Sequence, residues 1–129
     1  MKIEHFEDLE IWQDARVLCK FVYTITSVEP FLKDYRFRDQ MRAASGSVMD
    51  NIAEGWGRGG NKEFINFLSI AKGSNDETRS QSYRAYDFSY INQEELNELL
   101  ERTDKMSRKI SNFIKYLKNS ELKGSKFKT

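Results

Sequence analysis

His5, Cys19, the glycine-rich run Gly55-Trp56-Gly57-Arg58-Gly59-Gly60 and the carboxylates of Glu54 and Glu77 are the positions at which this sequence could support bond-making chemistry. Each falls short of a site. A thiol nucleophile needs a base at hydrogen-bond distance, yet His5, the one histidine, precedes the first helical segment and Cys19 lies on that segment's apolar side. Cys19 reads as a structural thiol, because reactive cysteines need an electropositive, partly exposed setting. His5 reads as a surface or capping residue. The glycine run has the composition of a phosphate loop but neither a preceding strand nor Gly-Lys-Ser/Thr, and it reads as a helix–helix hairpin. A di-metal centre in a helical bundle takes a Glu from each of two helices and Glu-x-x-His from the other two. Glu54 and Glu77 could supply carboxylates, but Glu-x-x-His does not occur. We therefore expect no enzyme, no metal and no cofactor.

Polar residues at helix-core spacing carry more information. Ser47, Asn51 and Glu54 stand at i, i+4 and i+7 and share a helix face. Downstream, Lys72, Ser74, Asn75, Asp76, Glu77 and Thr78 interrupt an apolar run, and Gly46 and Gly73 each cost a helix interior about 1 kcal/mol relative to alanine. Small residues around those glycines (Ala43, Ala44 and Ser47 against Ala71 and Ser74) would let two helices approach closely. The strip Arg42, Ser47, Asn51, Glu54, Gly73, Ser74 and Glu77 is open to more than one reading: a satisfied buried network that fixes helix register, a subunit interface, or a ligand groove. Candidates for nucleic-acid contact are Arg79 and Arg84, interleaved with Tyr83, Tyr86 and Tyr90, and Arg102, Lys105 and Lys109 further on. Side-chain packing and a solvated lysine face are the competing explanations.

These residues are positioned by four segments of helical periodicity, with no sustained alternation of the kind a strand needs. The first spans about 8–27, with Ile11, Ala15, Leu18, Val22 and Ile25 as its stripe and Pro30 beyond its end. The second spans about 36–56, through Phe37, Met41, Ala44, Val48 and Ile52, and stops in the glycine run. The third spans about 61–91, with Gly60 or Asn61 as its cap. Asn92-Gln93-Glu94-Glu95 forms a capping box for the fourth, about 93–118. Short connections between long helices favour antiparallel neighbours. The expected fold is all-α: an antiparallel up-down-up-down four-helix bundle over 1–118, with a lysine-rich tail, 119–129, that frays.

Composition agrees with that organisation. The chain has 129 residues, enough for one domain with a proper core. One proline permits long helices, and one cysteine excludes an internal disulfide framework and suits the cytoplasm. No apolar stretch approaches the length of a membrane span or a signal sequence. The formal charge of +1 conceals a gradient: residues 1–101 carry 12 basic and 18 acidic side chains, residues 102–129 nine basic and two acidic. That asymmetry suits an anionic partner, or head-to-tail attraction between copies.

Phe6-x-x-Leu9-x-x-Trp12-Gln13-x-Ala15, then Gln40-Met41-Arg42-x-Ala44-x-x-Ser47-Val48-x-x-Asn51-Ile52-Ala53-Glu54-Gly55, then Glu63-Phe64-x-x-Phe67-Leu68-x-Ile70-Ala71-x-Gly73-Ser74-x-x-Glu77 resembles the four-helix proteins encoded in intervening sequences of bacterial 23S ribosomal RNA genes, over about residues 6–117. Members are commonly labelled ribosomal proteins, and relatives include the accessory protein of diversity-generating retroelements. The resemblance implies a ring-shaped homopentamer and binding of RNA or a nucleoprotein. Ala43, Gly46, Met49, Asn75 and Thr78 depart from the family pattern, which weakens any carry-over of a nucleic-acid surface and leaves the fold intact. Two functions follow as expectations: an oligomeric scaffold that binds RNA or a nucleoprotein partner, or a self-assembly and protein-interaction module with no nucleic-acid role.

Overall fold

The structure, a computed structural model, describes residues 2–122. Among them are four α-helices and no strand: α1 (Glu10–Ile25), α2 (Tyr35–Gly57), α3 (Asn61–Asp87) and α4 (Gln93–Leu122), with single 3-10 turns at Phe6–Asp8 and Phe31–Lys33. Consecutive helices pack against one another and α4 returns to α1, closing the expected bundle. The α1–α4 seam is the thinnest of the four.

Local chemistry sets the helix ends. The Asp8 carboxylate accepts the backbone amides of Glu4 and His5, which holds its pKa below the usual value and fixes the entry to α1. Asp34 caps α2 by accepting from the Phe37 amide. The Asn92 box forms as read: the Glu95 amide donates to Asn92 Oδ1 at 2.8 Å, and the Asn92 amide donates to Glu95 Oε1 at 2.9 Å. The third helix ends earlier than its periodicity suggests. Ser89 adopts φ 63°, the Tyr90 amide donates to the Ala85 carbonyl, and the Ser89 amide to that of Tyr86. This is a Schellman termination built on serine where glycine is usual. The fourth helix, by contrast, runs to Leu122, four residues past the expected boundary. The rest of the expected tail, 123–129, lies outside the described residues.

The stripe predicted for α1 is its buried face: Ile11, Ala15, Leu18, Val22 and Ile25. The interior divides into two apolar clusters. One joins Ile11 and Ala15 to Val48, Ile52, Phe64, Leu68, Met106 and Ile110. The other joins Leu18, Val22 and Ile25 to Phe31, Phe37, Met41, Ala85 and Leu99. Buried polar side chains, among them Ser45, Asn75, Thr78 and Thr103, lie in inner turns of α2, α3 and α4. Asn75 Nδ2 donates to the Thr103 carbonyl at 2.8 Å, and Arg79 Nη1 donates to the Leu100 carbonyl and to Thr103 Oγ1, tying α3 to α4.

Candidate interaction surfaces

Along the α2–α3 face the structure brings part of the polar strip together. Ser74 Oγ donates to Ser47 Oγ at 2.9 Å, and Asn51 Nδ2 donates to both the hydroxyl and the carbonyl of Ser47. The wider network does not form. Arg42 points to the C-terminal end of α1, where Nε donates to Oγ1 of the capping Thr26 at 2.8 Å and Nη2 to Ser27 Oγ just beyond it. Glu54 is exposed and pairs with Arg58 one turn on. Glu77 is exposed and accepts from Gln81. Burying a carboxylate is costly without full compensation, and both of these stay in water.

The expected close approach at Gly46 and Gly73 is also absent. A Cβ on Gly46 would meet Cys19 Sγ at 4.0 Å, an ordinary contact, and one on Gly73 would meet nothing within 4 Å. The tight contact is at Gly55, where a Cβ would lie 2.6 Å from Phe67 Cβ and 2.8 Å from the Phe64 ring. Gly55 is thus inside α2, and Gly59, at φ 87°, is the glycine that turns the chain.

Between α2 and α3 a groove of about 390 Å³ is lined by Gln40, Ala43, Ser47, Ser74, Ser80 and Gln81, with Glu77 and Arg84 beside them. Gln81 is only 3 % exposed, and its Oε1 has no hydrogen-bond partner.

The basic residues singled out for phosphate contact are mostly engaged within the chain. Arg79 is half-buried and bonded to α4 as described. Lys109 Nζ donates to Asp14 at 2.7 Å and Glu10 at 2.9 Å; the hydrogen bond to Asp14, then that to Glu10, holds its pKa above the usual lysine value. Arg102 pairs with Glu98, and Arg84 lies over the Phe37 ring at 4.2 Å. Lys105 and Arg84 are exposed and in no ion pair among the described residues. Arg102, Lys105 and Lys109 also share a groove of about 570 Å³ between α1 and α4 with Glu10, Asp14, Glu94, Glu98 and Glu101. Carboxylates outnumber cations there, which opposes a phosphate backbone. The tyrosines divide: Tyr83 and Tyr86 are exposed, whereas Tyr90 packs on Phe31 and donates to Asp34 Oδ2 at 2.8 Å, which raises its pKa.

The α1–α2 face was not among the sequence candidates. There Arg42 lies over the Tyr23 ring at 4.2 Å and Arg38 over Tyr35 at 4.9 Å, while Arg16 sits 5.8 Å from the Trp12 ring centre. The spacing Trp12, Arg16, Tyr23 was legible as one helix stripe, but its neighbour on α2 was not. No group of three or more His, Cys, Asp or Glu side chains among the described residues is placed to hold a metal ion. No described helix is long and apolar enough to cross a membrane.

No curated protein matches the chain. Among solved structures, its fold is similar to a crystal structure from Bacteroides thetaiotaomicron VPI-5482, described as a protein with unknown function from the S23 ribosomal protein family. The TM-score is 0.74 at 19 % sequence identity, over 81 % of this chain and 98 % of that one, a likeness of fold. The sequence profile described as 23S rRNA-intervening sequence protein matches residues 7–112. With most of its length covered by that profile, the chain belongs to the 23S rRNA-intervening sequence protein family.

Proposed function

We propose that the protein is a non-enzymatic, cytoplasmic scaffold that self-associates through the α2–α3 face, without a cofactor. The observation that carries this reading is Gly73. It stands exposed in the interior of a 27-residue helix, where glycine costs about 1 kcal/mol relative to alanine. Nothing in the protomer requires it, since a Cβ there would meet open space. A helix or loop of a second copy lying across that point would. Ile70, exposed and one turn before Gly73, supplies an apolar anchor, and the groove beside it is lined by small and polar residues. Family resemblance favours a pentameric ring for the assembly.

Light scattering of the wild-type protein and of Gly73→Trp tests the reading. The wild type should run as an oligomer and the variant as a folded protomer; a monomeric wild type at micromolar concentration would end it. Gly73→Ala should stabilise an isolated protomer by about 0.5–1 kcal/mol, read by chemical denaturation.

A second reading, contact with RNA or a nucleoprotein partner, draws on exposed cations of α4: Lys105, Lys115 and Lys118, which are in no ion pair among the described residues, and Arg108, which pairs with Asp104. On this reading binding weakens steeply with salt.

A further inference from the structure

The α1–α2 face combines two features that a single-stranded nucleic acid uses: aromatic rings open to solvent and cations not neutralised by carboxylates. Tyr23 is 59 % exposed and Tyr35 63 %, and each ring is backed by a guanidinium. Arg42 is held by the hydroxyls of Thr26 and Ser27, neutral partners that orient the group and leave its charge intact. Arg38 donates to the Leu32 carbonyl and pairs with Asp39, so its charge is offset. On α1, Arg16 and Lys20 are exposed and in no ion pair among the described residues. They stand two turns and one turn before Tyr23, respectively, on the same side of the helix. Asp39 and Asp50 are the carboxylates on the neighbouring side of α2.

Tyr23 meets Arg42 across the seam, and Tyr35 lies seven residues before Arg42 on α2, about 10 Å along the axis. The two rings therefore stand a few nucleotides apart, with Arg42 between them and the Arg16–Lys20 pair extending the track along α1. A guanidinium on one face of a tyrosine leaves the other face for a base, and base–aromatic stacking tolerates any base.

We propose that the α1–α2 seam binds single-stranded RNA, with Tyr23 and Tyr35 as stacking residues and Arg16, Lys20 and Arg42 along the phosphates. This rests on the nucleic-acid reading given above and moves the binding surface from α4 to the opposite flank of α1.

The test is fluorescence anisotropy with a labelled uridine oligonucleotide at low salt, with the same measurement on an RNA duplex. Three variants are compared with the wild type: Arg16→Glu/Lys20→Glu and Tyr23→Ser/Tyr35→Ser on the seam, and Lys105→Glu/Lys115→Glu/Lys118→Glu on α4. All the substituted side chains are exposed, so circular dichroism should show an unchanged fold. The seam variants should each weaken binding at least about fivefold, a loss of the size expected for one stacked base. The charge reversal should also lower the salt slope by about 0.7 for each phosphate that is no longer neutralised. The α4 variant should bind as the wild type does. Loss of binding in the α4 variant alone overturns the seam and leaves the nucleic-acid reading standing. No binding by the wild type overturns both. Equal affinity for the duplex overturns stacking, and a seam variant that changes the sedimentation of the protein without changing RNA affinity makes the seam a protein interface instead.

Discussion

The two flanks of α1 are electrostatic opposites. Toward α4, Glu10 and Asp14 receive Lys109 at the edge of a groove in which carboxylates predominate. Toward α2, Trp12, Arg16 and Tyr23 follow one another along the helix and Tyr23 meets Arg42. Sixteen residues of one helix thus present an acidic edge and a basic, aromatic edge, separated by the buried ridge Ile11, Ala15, Leu18, Val22 and Ile25. Charge counted along a chain averages over a helix turn, whereas partners meet one face. In the described part of the basic end Arg102, Arg108 and Lys109 are paired and Lys105, Lys115 and Lys118 are not, and the α2 flank of α1 adds unpaired cations from residues 1–101, whose sum is acidic.

Leu18→Ala should disturb this division most. Leu18 is 1 % exposed on the ridge that sets the rotation of α1, and its truncation should cost about 2–5 kcal/mol in urea denaturation, loosening both flanks together. Arg42→Ala breaks the α2 side only. It removes two hydrogen bonds to the residues that end α1 and the stacking on Tyr23, and should cost about 1–2 kcal/mol, with Tyr23 fluorescence changing while Lys109 keeps its partners. Lys109→Met tests the α4 side and should cost less than about 1 kcal/mol, because Glu10 and Asp14 retain access to water. Its pH dependence follows from the raised pKa. The stabilisation by Lys109 is complete below the usual lysine value and disappears as pH rises through the raised one. Denaturation midpoints of wild type and variant should therefore differ by a constant amount from neutral pH upward and converge in strong alkali. Convergence already near neutral pH would show that Lys109 does not hold α1 to α4.

Much of the bundle was legible because its signals are local. The α1 stripe, the Asn92 capping box and the turn in the glycine run depend on residues within a few positions of one another. What escaped was non-local or conformational. Ser89 stops α3 by adopting a positive φ that its side chain does not advertise. Arg79 and Lys109 look like phosphate contacts in sequence, and only the fold brings Leu100 and Thr103 to the first and Glu10 and Asp14 to the second. Gly55 reads as loop chemistry because the glycines after it are loop residues; its own role is to admit Phe64 and Phe67. Of the polar strip, Ser47, Asn51 and Ser74 meet, one helix face and one neighbour being enough. Asn75 and Thr78 were visible as polar interruptions of an apolar run and as departures from a family pattern, and their buried positions give them a structural part.

The polar middle of the bundle has a dynamic consequence. The two apolar clusters share all four helices but are separate groups of buried side chains. An opening that starts at the Phe31, Phe37 and Tyr90 end exposes the cluster around Leu18 and Leu99 and then meets Asn75 and Arg79 holding α3 to α4. Each half of the molecule can thus act as a cooperative unit of its own. Amide hydrogen exchange should resolve two sets of protection, one for each end, with the amides around Thr103 marking the border between them.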